Sequence, residues 1–379
     1  MVDIEIYNSD FSLRFFNTFD DRARSFEEEV KNQHSHGYQV IDKEGTVRHL
    51  TWPNLSYWQS YRHLDHSHRP FFVLQATDRV TEVLHQIAIT VEVSRVSLFQ
   101  NGIVQKWIPV GLIHHPERHR LLLNWLIHFC RRHTQVMNLR LQPYLPGEEH
   151  LRVAKDILNS LRFTSISPTS YTQTRFVDLR PEVSDILALF NANGRVKLRI
   201  KDKYAEEASV KDISDETTTP FLQKALNESF LRSAKKECHY NFQPLFKSAA
   251  QFTQDVSIIG FYLKESPLEP KAFITGVRHH HMVEFSVGGS RSDERLRKFP
   301  FNHILIWQLI LRSKKQGGQF FDMGGISSGA AGDALQGISA FKRLFPGFEL
   351  TVGSEMHLPL RLPRSFTYSV MQKISRVLQ

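Results

Sequence analysis

Gln319–Phe345 reads QFFDMGGISSGAAGDALQGISAFKRLF and carries the most distinctive pattern in the 379-residue chain. It opens with an apolar run of strand type, Gln319 to Met323, crosses a loop of small residues from Gly324 to Gly337, and ends in a short helix. That helix holds Ile338, Phe341, Lys342, Leu344 and Phe345, and Pro346 and Gly347 stop it. Small residues let a backbone approach a ligand closely, although many such loops are plain connections. Lys342 stands out chemically. An ammonium at the rim of an apolar wall stabilises a developing oxyanion far better than one in bulk water; the plain alternative is an exposed lysine beside Arg343. Asp322 is a candidate general base, or simply a turn-forming aspartate before two glycines. Gly332 is followed by Asp333 rather than by Lys and Ser/Thr, so the loop is no P-loop, and no Gly-x-Ser-x-Gly elbow occurs.

Outward from this string, strands and helices alternate in two similar blocks, which points to α/β or α+β units. Strands are expected at Phe71 to Gln75, Ile87 to Val93, Val96 to Gln100 and Met137 to Leu141, with helices from Pro116 to His133 and from Glu148 to Leu161. Thr164 to Ser170, rich in Ser and Thr with Pro168, reads as a boundary. Beyond it come a strand (Thr174 to Leu179), a helix (Pro181 to Asn191) and the basic segment Arg195 to Tyr204, which alternates like a strand but repeats charge like a helix; helix is preferred. A helix at Pro220 to Ser233 follows, then strands at Ser257 to Lys264, Lys271 to Val277 and Met282 to Val287. The helix Phe301 to Lys315 is closed by Gly317 and Gly318.

The chain is basic, with 48 Lys and Arg against 39 Asp and Glu, and 41% hydrophobic residues suffice for a large core, which excludes disorder and low complexity. Two cysteines, Cys130 and Cys238, exclude a disulfide scaffold and a zinc ribbon and suit a reducing compartment. Cys130 lies in an apolar helix and reads as packing. His279 to His281, being consecutive, point to opposite faces, and His63, His66 and His68 match no zinc spacing, so no metal or other cofactor is expected. The first 19 residues lack the basic and apolar regions of an export signal, and no window is apolar for the roughly 18 residues a span needs, so the expectation is a cytoplasmic chain without a transmembrane segment. From Arg291 onward, 13 Lys and Arg stand against six Asp and Glu, a net of +7. A second cluster is Arg195, Lys197, Arg199, Lys201 and Lys203. Both are either solvated faces or polyanion sites.

The string Phe321-Asp322-Met323-Gly324-Gly325-Ile326, followed by Gly337-Ile338, Phe341-Lys342-Arg343 and Phe345, resembles the carboxyl-terminal signature of the FemABX aminoacyltransferases. Gly288-Gly289-Ser290 with Phe299 to Phe301 and Ile306-Trp307, then Thr174 to Leu179 with Arg195, Arg199 and Lys203, are similar to further family segments, and Leu55 to Arg62 is similar to a Gln-x-x-x-Trp-x-x-x-Lys element. The resemblance implies two GNAT-like acetyltransferase domains, each a mixed sheet flanked by helices: 1–165 on the acceptor side, 166–346 with the acyl-transfer site on the donor side, and a tail, 347–379, packing back on the first. It implies transfer of an amino acid from aminoacyl-tRNA to an amine, usually on the stem peptide of a lipid-linked or nucleotide-linked peptidoglycan precursor. Lys342 then stabilises the tetrahedral oxyanion with Phe341 beside it. Arg62, in the place of a family Lys, contacts the acceptor diphosphate with Trp58, and Tyr240 falls where the family has a His-Arg pair. Arg199, Arg291, Arg295 and Lys298 are the candidate ligands of RNA phosphates.

The sequence departs from the family at three places: His239-Tyr240 has no Arg, Val110-Gly111-Leu112 replaces a Gly-Pro, and no coiled-coil arm lies between Lys203 and Gly260. Other readings stay open: an acyl-CoA or carrier-protein thioester donor, for which no pyrophosphate-turn motif is found; a non-peptidoglycan acceptor; a non-catalytic RNA-binding module; and a membrane-surface helix in Arg364 to Gln379.

Overall fold

The computed structural model describes residues 4–7, 10–16, 35–42, 44–53, 71–93, 100–107, 112–166, 171–204, 206–235, 237–279, 281–329 and 336–361. In the first half the strands are β1 (Ile4–Tyr7), β2 (Phe11–Phe16), β3 (Ser35–Ile41), β4 (Val47–Pro53), β5 (Phe71–Asp78), β6 (Leu84–Val93) and β7 (Gln100–Trp107). Helix α1 (Pro116–His133), β8 (Val136–Pro143), α2 (Glu148–Ser160) and β9 (Thr164–Ser165) follow. The second half contains β10 (Gln173–Asp178), α3 (Val183–Ala188), α4 (Ala192–Lys203), β11 (Ala208–Asp212), α5 (Thr219–Ala234), α6 (Gln243–Gln251), β12 (Val256–Leu263), β13 (Ser266–His279) and β14 (Met282–Ser290). It closes with α7 (Phe301–Lys315), β15 (Phe320–Gly325), α8 (Gln336–Lys342), β16 (Phe348–Thr351) and β17 (Met356–Pro359).

Two compact units emerge. One comprises 1–40, 54–172 and 351–379, the other 41–53 and 173–350. The break near Thr172 falls just past the Ser/Thr-rich stretch, because Thr164 and Ser165 still pair with β17. Among the described residues the first unit holds a sheet ordered β1-β2-β5-β6-β7-β8-β17-β9, and the second a sheet ordered β11-β12-β13-β14-β15-β10-β16. Among the described residues each sheet contains a parallel pair, β7 with β8 and β14 with β15, and each pair is joined by a helical crossover, α1 or α7.

The crossover helices follow directly from local sequence. Pro116 sits in the first turn of α1, where its missing N–H costs nothing, with Glu117 near the positive end and Arg131, Arg132 and His133 near the negative end. Its inner face, Leu122, Leu123, Leu126, Phe129 and Cys130, enters the first core. Burial pushes the Cys130 thiol up to about 12, so it behaves as an apolar group. Helix α7 is buried along most of its length, through Ile304, Leu305, Trp307, Leu309 and Ile310, and it ends where Gly317 takes φ +81° and Gly318 N–H donates to Ser313 O over 2.8 Å.

Some expectations shift. Of the strand expected at Val96 to Gln100, residues 96–99 lie outside the described residues; from Gln100 a strand runs to Trp107 and pairs in parallel with β8. The helix expected from Pro181 to Asn191 is confined to Val183–Ala188, because Asn191 Oδ1 accepts from Gly194 N–H at 2.7 Å and starts the next helix there. That next helix, α4, contains the ambiguous basic segment. Residues 362–379, the part of the expected tail for which a membrane-surface helix stays an open alternative from Arg364 on, lie outside the described residues. No helix among the described residues is long and apolar enough to cross a membrane.

Candidate active site at the diverging strands of the second unit

In the first unit the parallel pair stays registered from Gln100 with Val136 to Trp107 with Pro143, across two irregularities. In the second, registered pairing of β14 with β15 stops after Met282–Phe320, Val283–Phe321 and Glu284–Asp322. Strand β14 nevertheless runs on to Ser290, paired only with β13. Two parallel strands that part midway leave backbone groups and an opening between them. Sequence fixes the parting on both sides. On β15, Gly324 adopts φ +72°, which bends the strand out of register, and Asp322 Oδ1 accepts from Gly324 N–H at 2.7 Å and from the Thr174 hydroxyl. On β14, a Cβ at Gly289 would lie 2.7 Å from Leu226 Cα, so α5 packs backbone to backbone on that strand.

Lys342 Nζ lies in this opening. It donates to Gly325 O at 2.6 Å, sits 5.9 Å from the Phe285 ring centroid and would lie 3.6 Å from a Cβ on Gly324. The residue is only 5% exposed. Burial pushes its pKa down to about 8, against the pull of Asp322 and Glu284, both buried and facing each other in register. An ammonium has three donors and Gly325 takes one, so others remain for an oxygen that gains charge. Asp322 is fully buried and serves as an acceptor for its own turn, which is the structural role rather than that of a solvent-facing base.

Phe341, partly buried, packs edge-on against His303 at 5.1 Å, and His303 stacks on Phe345 at 5.6 Å. His303 is 8% exposed; burial, reinforced by Lys197, pushes its pKa down to about 4, and its Nε2 has no hydrogen-bond partner. Phe341 and His303 line a cavity of about 390 Å³ at the N-terminus of α7, together with Ser290, Arg232, Arg291 and Arg297. Arg232 donates to Ser290 O at 2.8 Å and Arg291 Nε to Glu228 Oε1 at 2.8 Å. Three guanidiniums, two serine hydroxyls and a helix N-terminus offer donors of the kind phosphate takes, although Asp293 shares the lining, Glu228 holds Arg291 and Ser292, and Glu294 lies 3.8 Å from Arg297.

The residues singled out from sequence thus separate. Lys342 comes to the opening, and Phe341 and Arg291 line the cavity at the α7 N-terminus. Lys298 is exposed, paired with Glu207 and set over the Tyr204 and Phe299 rings, and it lines neither this cavity nor the one described below. Tyr240 packs on Phe242 at 4.8 Å before α6. Arg199 lies on α4 and Arg295 follows Ser292 on a short 3-10 turn, but their side chains, like Trp58 and Arg62 altogether, are outside the described residues. Glu284, His303 and Arg232 were not foreseen. The only sequence trace of them is a buried-type strand carrying a lone Glu, a His at the start of an otherwise apolar helix, and an Arg in the last turn of α5. Among the described residues no three side chains of metal-binding type come together.

No protein-family model and no curated protein sequence matches the chain. Solved structures do resemble it. One described as FemX is 11% identical, with a TM-score of 0.67 over 90% of this chain and 96% of that one. A conserved protein of unknown function from Bacteroides thetaiotaomicron is 11% identical, with a TM-score of 0.53 over 90% and 99%. A tandem GNAT protein from the clavulanic acid biosynthesis pathway is also 11% identical, at 0.51 over 92% and 98%. At such identity the likeness is one of fold: the chain has a FemX-like architecture of two GNAT-type units, each a mixed sheet flanked by helices.

Proposed function

We propose that the protein is an acyltransferase that moves an amino acid from aminoacyl-tRNA to an acceptor amine, with Lys342 stabilising the tetrahedral oxyanion. The observation that carries this reading is the Lys342 ammonium, buried where β14 and β15 part and bonded to Gly325 O. A neutral amine attacks the ester carbonyl carbon, a C–N bond forms, and the carbonyl electrons move to oxygen, where Lys342 meets the new charge in a site of low dielectric. The intermediate collapses by breaking the ester C–O bond. The amine gives up a proton and the ribose hydroxyl leaves with one. The cavity at the α7 N-terminus receives donor phosphate, with Arg232, Arg291 and Arg297 as ligands. The FemABX-like signature favours a stem-peptide amine as acceptor and a cytoplasmic setting. The same cavity also suits the pyrophosphate of an acyl-CoA, so a thioester donor is the second reading.

Labelled aminoacyl-tRNA, supplied with a cell extract or a lipid-linked precursor, tests the donor. Transfer is expected to disappear after ribonuclease; transfer that survives complete digestion overturns the tRNA reading, and acetyl-CoA run in parallel detects the thioester route. Lys342→Ala is expected to lower the transfer rate about a hundredfold or more while the fold is kept. A rate within a factor of about two of the parent rules out the oxyanion role.

A further inference from the structure

A second cavity of about 450 Å³ lies elsewhere in the second unit, between β10, α3 and the turn after α8. Arg48, Arg175 and Arg343 line it, with Asn191 at its edge and Ile186 and Leu189 on its apolar wall. Its volume falls within the range of roughly 300–1,000 Å³ usual for small-molecule sites. Glu349 answers two of the guanidiniums at once: Arg343 Nε donates to it at 2.7 Å and Arg175 at 3.3 Å. Arg48 is held by Asp42 at 2.7 Å. Asp178, the one acid lining the cavity, is bound by Arg180. Arg175 is 9% exposed, and its Nε has no hydrogen-bond partner, although its other nitrogens reach Glu349 and Phe345 O. That nitrogen is itself closed off from solvent, so it offers the cavity no donor. On the other wall Leu189 is 69% exposed, a large apolar side chain left facing solvent at the mouth.

We propose that this cavity binds a small amphiphilic anion, a phosphate monoester or a carboxylate carried on a short apolar body, with Arg48, Arg175 and Arg343 as its anion ligands. Guanidiniums match both head groups by paired N–H donors, and the Ile186–Leu189 wall covers the chain. Arg343 directly follows Lys342, so an occupant meets the segment that carries the ammonium. Nothing in this binding requires acyl transfer, and its test is read without turnover.

Calorimetric titration of the full chain with hexyl phosphate, hexanoate, inorganic phosphate and hexanol tests it. At least one of the two amphiphilic anions is expected to saturate a single site, and comparing them identifies the preferred head group. Inorganic phosphate should bind about tenfold more weakly, a difference of about 1.4 kcal/mol, and hexanol not measurably. Asn191→Asp keeps the acceptor that caps α4 yet adds a negative charge at the cavity, and Arg48→Gln removes a positive one; each is expected to weaken binding about tenfold. Unfolding midpoints verify that both variants fold, and Asn191→Asp decides alone should Arg48→Gln not. The proposal is overturned if neither amphiphilic anion saturates, if hexanol binds as well as the anions, or if folded Asn191→Asp binds like the parent.

Discussion

Lys342 combines burial with a charge that chemistry needs, and the two pull its proton in opposite directions. Because burial lowers the pKa to about 8, the ammonium is lost as pH rises through that value rather than near 10.5. The transfer rate is therefore expected to fall on the alkaline side of about pH 8, and Lys342→Arg, whose guanidinium stays protonated, should remove that limb from whatever rate it retains. A parent profile still flat at about pH 9.5 would exclude the assignment. His303 titrates with a consequence for the fold itself. Its folded value near 4 lies below the ordinary 6.5, so the unfolded chain takes up the proton first. Its contribution is fully present above 6.5 and drains away as pH falls toward 4, by about 2 kcal/mol at pH 5. Urea unfolding at pH 7 and pH 5 should show a smaller acid loss in His303→Gln than in the parent, and equal losses would refute the burial argument.

Among the elements, the two crossover helices contrast most clearly. Both α1 and α7 join parallel strands, yet only the strands flanking α7 part midway, and the guanidinium-lined cavity forms where α7 begins. The seam of α5 on β14 supports that geometry, because at Gly289 the backbone of Leu226 lies where a side chain would go. Gly289→Ala is expected to cost about 1–3 kcal/mol, since both contacting groups are backbone and neither can rotate away. Equilibrium unfolding measures this, and a change within about 0.5 kcal/mol would mean that the seam yields more readily than its packing implies. The helices themselves were legible to the residue. Pro116 and the pair Gly317-Gly318 bound them by backbone chemistry that needs no tertiary partner. Strand β16 and the hairpin strands β3 and β4 were missed, because their short mixed segments carry little periodicity; β16 becomes a strand beside β10, distant in sequence, while β3 and β4 pair with each other.

At the scale of the whole molecule, chain order and unit membership diverge. Strand β17, near the end of the described chain, inserts between β8 and β9 of the first unit, with Met356 at 1% and Leu358 at 3% exposure in that core. Leu358→Ala should therefore cost about 2–5 kcal/mol and lower hydrogen-exchange protection in β8 rather than in β12 or β13. Loss of protection confined to the second unit would contradict the pairing. The sequence by itself determined the α/β class, the crossover helices, the basic character and the Phe341-Lys342 string, because periodicity, Pro and Gly stops and charge are local properties. Only the tertiary structure decided that Glu284 and Asp322, 38 positions apart, share one register with Lys342 near them, and that Lys298 pairs with Glu207 away from both cavities. Which charges meet in a sheet or across a core depends on strand order and register, and those are set by the burial of apolar faces summed over the whole chain.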